Sequence, residues 1–125
     1  DAKEIDLSQY EAESSFHDAT GAGRGYACAG GVAEAIEKCI NEYYPDVEVS
    51  IEHAEGLAEC KKTLTLAKAG RLNGCLIEGM GCPGGCIAGA GTNIPVLKAK
   101  KDLAAYVKNS TTPIPPKELE EIELE

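Results

Sequence analysis

The fold of this chain is decided by the stretch VEVSIEHAEGLAECKKTLTLAKAGRLNGCLIEGM, residues 47–80. Its first seven residues alternate apolar and polar side chains, which predicts a half-buried strand over 47–53. A helix is predicted from about residue 56 to 69, and CLIEGM, residues 75–80, reads as a second, short strand. Strand, helix and strand with short links form a βαβ unit, whose strands are parallel and joined by a right-handed crossover. The sequence therefore predicts an α/β fold.

Three amphipathic helices are expected around this unit. The first follows Gly31 and ends before Pro45, and the third continues from Pro95 through VLKAKKDLAAYVKN, residues 96–109. The helix inside the βαβ unit has one predicted apolar face, formed by Leu57, Cys60, Leu64 and Ala67. We thus predict a βαβ-containing fragment with a small parallel sheet and three amphipathic helices. Two strands are few for a stable sheet, so a third is expected from residues 1–28, from sequence elsewhere or from a second copy of the chain.

The charge is concentrated at the two ends of the chain. The net charge is −9, residues 1–18 hold six acids and one lysine, and residues 117–125 hold five glutamates and one lysine. We divide the chain into an acidic segment 1–19, a domain 20–110, and a Pro-rich, acidic tail 111–125. No basic stripe or aromatic platform suits nucleic acid. No apolar run suits a membrane span.

The sequence also lacks a secretion signal, so we expect a cytoplasmic protein. It begins at Asp1 rather than Met, which favours a processed or excised piece.

Two cysteines lie four residues apart in EGMGCPGGC, residues 78–86, a turn made mostly of glycine and proline. Ligand sites of open α/β sheets gather at the carboxyl ends of strands, where this turn begins. Glycine permits positive φ and close approach to a bulky partner, and N–H groups in such a turn can donate to cluster sulfurs. An iron–sulfur site at Cys82 and Cys86, with Gly84 and Gly85 beside it, is favoured. A disulfide, a zinc site and an ordinary loop remain alternatives.

The other four cysteines offer one further candidate ligand. Cys39 and Cys60 lie on the apolar faces of helices and Cys75 opens a strand, so all three are interpreted as core residues. Cys28 lies in the glycine-rich loop TGAGRGYACAGG, residues 20–31, and is the one plausible third ligand, although a structural role is favoured for it too. No apolar strand precedes this loop, so it fails as a dinucleotide fingerprint. The two histidines, His17 and His53, are interpreted as surface residues.

The cysteine turn resembles the third signature of the [FeFe]-hydrogenases, E-x-M-x-C-x-x-G-C-x-x-G-G-G-Q-P. The matching positions are Glu78, Met80, Cys82, Gly85, Cys86, Gly89 and Gly91. Upstream, GYACAGGVAEAI, residues 25–36, resembles the F-G-x-[TS]-G-G-V-x-E-A segment of the same family. The two segments stand in the family's order and extend the resemblance over roughly residues 20–108.

This resemblance implies an H-cluster, in which a [4Fe–4S] cubane is joined through a cysteine thiolate to a two-iron subcluster. By the same resemblance, Cys82 ligates the cubane, Cys86 is the shared thiolate, and Met80 packs beside the two-iron site. The implied reaction is the reversible interconversion of dihydrogen with protons and electrons. A ferredoxin or similar carrier is the implied electron partner.

Several family features do not occur in this sequence. The T-S-C-C-P and M-P-C-x-x-K motifs, which hold the other cubane ligands, are absent, and G-G-G-Q-P is replaced by Gly89-Ala-Gly-Thr-Asn93. We therefore expect a fragment that completes its site with the remainder of the large subunit and is inactive alone. A homodimer through open sheet edges is a further expectation. The alternative function is an iron–sulfur electron-transfer module without hydrogen chemistry.

Overall fold

A computed structural model describes residues 5–11 and 19–118 of the chain. Within them, the helices and strands are α1 (Gly21–Arg24), α2 (Gly31–Tyr43), β1 (Ser50–Glu55), α3 (Leu57–Lys68), β2 (Cys75–Met80) and α4 (Val96–Lys108). Short 3₁₀ turns occupy Leu7–Gln9, Gly25–Ala27 and Cys86–Ala88. The three predicted amphipathic helices correspond to α2, α3 and α4, which confirms that part of the sequence prediction.

The βαβ unit forms the centre of the molecule. β1 and β2 pair in parallel, with Ser50 opposite Cys75 at one end and Glu55 opposite Met80 at the other. α3 covers the face of β2 on which Gly79 lies, because a Cβ at Gly79 would stand 3.4 Å from the Cys60 Sγ. α2 covers the other face, where Glu78 accepts a hydrogen bond from the α2 backbone. The predicted mixed α/β fold with a small parallel sheet is confirmed.

Two details of the predicted βαβ unit are wrong. β1 begins at Ser50 rather than at Val47, and Val47 is exposed. On α3, Leu57 is 79% exposed and Leu64 is 61% exposed, whereas Thr63 is buried. The part of α3 that meets the sheet keeps Cys60 of the predicted face and excludes the two leucines. Ala54 is buried in the sheet at the point where Cys60 contacts it, so a short side chain fits between the layers there.

The described residues contain no third strand, and their sheet is β1 and β2 alone. Residues 19–28, offered as a source of that strand, form α1 and a 3₁₀ turn instead, while residues 12–18 lie outside the described ranges. The glycine-rich segment predicted as a loop is therefore partly helical. Thr20 caps α1, since its Oγ1 accepts a 3.0 Å hydrogen bond from the Gly23 N–H.

The segment after α4 returns to the beginning of α1. The Gly21 and Ala22 N–H groups donate to the carbonyls of Thr112 and Pro113, both at 2.8 Å. These N–H groups have no partner inside a helix, so the returning segment satisfies them. The Tyr43 hydroxyl donates to the Pro115 carbonyl at 2.7 Å, which ties the same segment to α2.

The core of the described residues is built from small side chains. No large side chain among them is less than 2% exposed, and the buried apolar residues are Ala22, Ala33, Ala35, Ala54 and Ala99. Glycine brings the elements closer still, because a Cβ at Gly31 would lie 2.0 Å from the Gly25 carbonyl oxygen. The start of α2 thus packs directly on the backbone of the preceding turn. In the described ranges no helix has the length and apolar character needed to cross a bilayer.

Replacing Gly31 by alanine should destabilise the fold. The new Cβ would overlap a backbone carbonyl that cannot rotate away, so α2 must shift, and overpacking of this kind costs about 1–3 kcal/mol. Urea unfolding followed by circular dichroism measures this loss. Gly91→Ala is the matched control, because a Cβ there meets no atom within 4 Å and its φ is not positive. Equal stability of the two variants would contradict the close packing at Gly31.

Candidate functional site

The cysteine turn lies where β2 ends, at the carboxyl edge of the sheet. It closes through two backbone hydrogen bonds of 3.0 Å, from the Gly85 N–H to the Cys82 carbonyl and from the Ala88 N–H to the Gly85 carbonyl. Cys82 and Cys86 are both exposed free thiols. The turn therefore presents two accessible sulfur ligands and, in this structure, no disulfide between them.

Gly85 packs the turn against the loop before α2. It is buried with φ +87°, and a Cβ there would stand 2.4 Å from the Ala29 nitrogen and 2.6 Å from the Ala27 oxygen. The neighbouring Gly84 carbonyl accepts a 3.3 Å hydrogen bond from the Ala29 N–H. No other residue type fits this position without displacing backbone, so the glycine is required by packing as well as by φ.

A carboxylate from β1 holds the centre of the turn. Glu55 Oε2 lies 2.6 Å from the Gly84 nitrogen and accepts its N–H. The next residue, Gly56, donates its N–H to the Met80 carbonyl at 2.7 Å, so the ends of the two strands are joined just before the turn. Sequence reasoning missed Glu55, because the predicted strand ended at His53. The available signal was the parallel pairing, which puts the residue at the end of one strand beside the residue at the end of the other.

The two glycines were predicted to expose N–H groups to a cluster. In the structure, the Gly84 N–H bonds to Glu55 and the Gly85 N–H bonds to the Cys82 carbonyl. Their role as cofactor-binding residues stays a prediction, and it now rests on backbone shape rather than on free N–H donors. Farther along, a Cβ at Gly89 would lie 3.4 Å from the Cys82 Sγ, so Gly89 lies directly beside this thiol.

Met80 is half-buried at the end of β2. It lines an apolar cleft between β2 and α2 together with Val32, Ile36 and Leu76. The side chain therefore stands at the base of the cysteine turn. Its proposed contact with a two-iron subcluster is a prediction that the geometry leaves open.

Glu78 connects the sheet to the beginning of α2. Its side chain is 9% exposed; Oε1 accepts a 3.3 Å hydrogen bond from the Val32 N–H, and Oε2 lies 3.2 Å from the His53 Nδ1. A carboxylate at a helix N-terminus satisfies an unpaired N–H and interacts favourably with the helix dipole. His53 is exposed as predicted, and the parallel register places it beside Glu78. His17 lies outside the described residues.

The remaining cysteines do not join the turn in a metal site. Across residues 5–11 and 19–118, no three histidine, cysteine, aspartate or glutamate side chains are grouped so that they could hold a metal ion. Cys28 belongs to the loop that packs on Gly85, yet it does not form such a group with the two thiols. Cys39, Cys60 and Cys75 are half-buried, and the Cys60 thiol lies 3.5 Å from the Ala54 carbonyl, as suits a core residue.

Comparison with known families agrees with this geometry. The family model that matches describes the C-terminal domain of the iron-only hydrogenase large subunit, and it covers residues 1–90. The chain belongs to this family. The match includes both the loop before α2 and the whole cysteine turn, and it confirms the resemblance found in the sequence. No curated protein matches the chain.

Membership in the iron-only hydrogenase family implies an iron–sulfur cofactor in the parent protein. The residues of this chain fit part of such a site, because Cys82 and Cys86 are exposed thiols on one turn. A cubane takes four cysteine ligands, and among the described residues the turn offers two. The turn therefore fits half of a cubane ligand set.

Removing the Glu78 carboxylate should loosen α2 from the sheet. Glu78→Ala leaves the Val32 N–H without its acceptor and His53 without its partner, which should lower the free energy of unfolding by about 1–2 kcal/mol. Glu78→Gln keeps an acceptor and should lose less. Urea unfolding of both variants measures the difference.

Glu42→Ala is the control for this pair, because it removes the same charge from an exposed position on α2. If Glu78→Ala and Glu42→Ala have the same unfolding free energy, Glu78 does not hold the helix.

Proposed function

We propose that this chain supplies two cysteine ligands of an [FeFe]-hydrogenase H-cluster, with Cys82 as a cubane ligand and Cys86 as the thiolate shared with the two-iron subcluster. The observation that carries the proposal is a pair of exposed free thiols on a turn at the carboxyl edge of a βαβ sheet, in a chain of this family. When bound, the cofactor supplies the redox iron chemistry that interconverts dihydrogen with protons and electrons.

The residues of the chain orient these thiols. Glu55 and Gly85 fix the turn from two sides, one through a side-chain acceptor and the other through close backbone packing. Met80 leads from β2 into the turn, and we propose that its side chain covers the two-iron site. Because the turn is fixed by backbone contacts, little reorganisation of the thiols should accompany cofactor binding.

The other cubane ligands must come from outside the turn. We propose that the remainder of the hydrogenase large subunit provides them, and that the chain by itself does not turn over dihydrogen. A ferredoxin-type carrier is the proposed electron partner.

A second candidate function is iron–sulfur electron transfer without hydrogen chemistry. It is favoured by the residues after Cys86, where Thr92 replaces the glutamine of the family signature and its Oγ1 donates to the Cys86 carbonyl at 3.3 Å. The loop beyond the second thiol is thereby altered. The test is an assay of the chain together with the remainder of the subunit, with reduced methyl viologen as the electron donor. A stable cluster that produces no dihydrogen under these conditions would support this second function.

Anaerobic reconstitution with iron and sulfide tests the ligand assignment. The chain produced together with the remainder of the large subunit should gain visible sulfur-to-iron charge-transfer absorption that survives desalting. Cys82→Ser or Cys86→Ser should lower the retained iron severalfold, because each removes one of the two thiols that the turn offers. Cys39→Ser and Cys75→Ser are the matched controls, since these thiols are half-buried and lie away from the turn.

The ligand assignment fails if no absorption survives desalting when the remainder of the subunit is present, or if Cys82→Ser then retains as much iron as Cys75→Ser. A stable cluster on this chain alone would overturn the assignment of the missing ligands to the remainder of the subunit, and Cys28 would then be the residue to test.

A further inference from the structure

We propose that Glu55 is a positioning residue for the cysteine turn and that its charge makes the reduction potential of the cluster held there more negative. The proposal rests on the cluster-binding function proposed above. It goes beyond that function because Glu55 lies outside the cysteine signature and reaches the turn from a different strand.

The first support is the contact itself. Gly84 is two residues from each cysteine along the chain, and its N–H donates to Glu55 Oε2 at 2.6 Å. A hydrogen bond from a backbone N–H to a carboxylate is stronger than one to a neutral acceptor. Glu55 therefore acts on the segment that sets the separation and direction of the two thiols.

The second support is that Glu55 is itself fixed. It is the last residue of β1 and pairs with Met80 in the sheet, and its own N–H donates to Glu59 Oε2 at 3.3 Å in the first turn of α3. The hydrogen bond from Gly56 to the Met80 carbonyl adds a further tie at the same point. The backbone of Glu55 is thus held by the sheet and by α3, so its carboxylate reaches the turn from a fixed point.

The third support concerns charge and hydrogen bonding near a cluster. The reduction potential of a cluster depends on its solvent exposure and on the N–H groups that donate to its sulfurs. Added negative charge lowers this potential, because it disfavours the reduced, more negative state of the cluster. Glu55 takes one N–H away from the centre of the turn and also places a carboxylate there. Both effects act in the same direction, toward a lower potential.

Three variants separate these effects. Glu55→Gln keeps an oxygen acceptor for the Gly84 N–H but removes the charge, whereas Glu55→Ala removes both. Glu48→Gln is the matched control, because it removes the same charge from an exposed position before the opposite end of β1. Circular dichroism of each full-length variant checks that the helices are retained.

The first measurement is amide hydrogen exchange of Gly84 by NMR, without iron. Exchange should be at least about tenfold faster in Glu55→Ala than in the unaltered chain, intermediate in Glu55→Gln and unchanged in Glu48→Gln. Equal exchange in all four proteins would overturn the positioning role. Because no cofactor is needed, this result is independent of whether the chain binds a cluster.

The second measurement is a redox titration of the chain reconstituted together with the remainder of the large subunit, followed by electron paramagnetic resonance. The midpoint should shift to more positive values in Glu55→Gln and further in Glu55→Ala, with no shift in Glu48→Gln. A shift that is the same in Glu55→Gln and Glu48→Gln would reduce Glu55 to a structural restraint and overturn the electrochemical part. If no variant forms a cluster, the electrochemical part is wrong for this chain and the proposed function fails with it, while the exchange result still decides the positioning role.

Discussion

The close packing of two glycine-rich loops is the constraint on which the rest of this structure depends. Gly85 in the cysteine turn lies so near residues 27–29 that a single added carbon would overlap their backbone. The same loop leads into α2 through Gly31, which is equally close to the Gly25 carbonyl. The turn, the loop and α2 therefore form one rigid unit, and the sheet joins it through Glu55 and Glu78.

The two glutamates join the sheet to different parts of this unit. Glu78 faces α2 from the interior of β2 and fixes the helix that carries the supporting loop. Glu55 reaches the turn from the end of β1. Membership in the iron-only hydrogenase family accounts for the thiols, whereas the contacts around them account for how the chain holds the thiols in place. The exposed sulfurs and the fixed backbone are separate properties of the site, supplied by different residues.

The sequence predicted the elements better than the contacts between them. β2 was predicted over the same residues that form it, and α2, α3 and α4 were all expected, because hydrophobic periodicity and proline or glycine boundaries are local signals. The predicted face of α3 was wrong in its two leucines: Cys60 meets the sheet as expected, whereas Leu57 and Leu64 are exposed and Thr63 is buried. Glu55 and the pairing of His53 with Glu78 depend on strand register, which appears only when distant segments come together. Motif resemblance found the two cysteines, but it contains no information about residues outside the motif.

The alanine core has a consequence for how this scaffold responds to change. Alanine and glycine lose no side-chain conformational entropy on folding, so the ordering cost of the core lies almost wholly in the backbone. The same residues have no alternative rotamers with which to absorb an added methyl group at Ala33 or Ala54. Neighbouring side chains, or α2 and β1 themselves, must then give way. Because β1 ends at Glu55, which accepts the Gly84 N–H, a substitution at Ala54 bears on the cysteine turn as well as on the core.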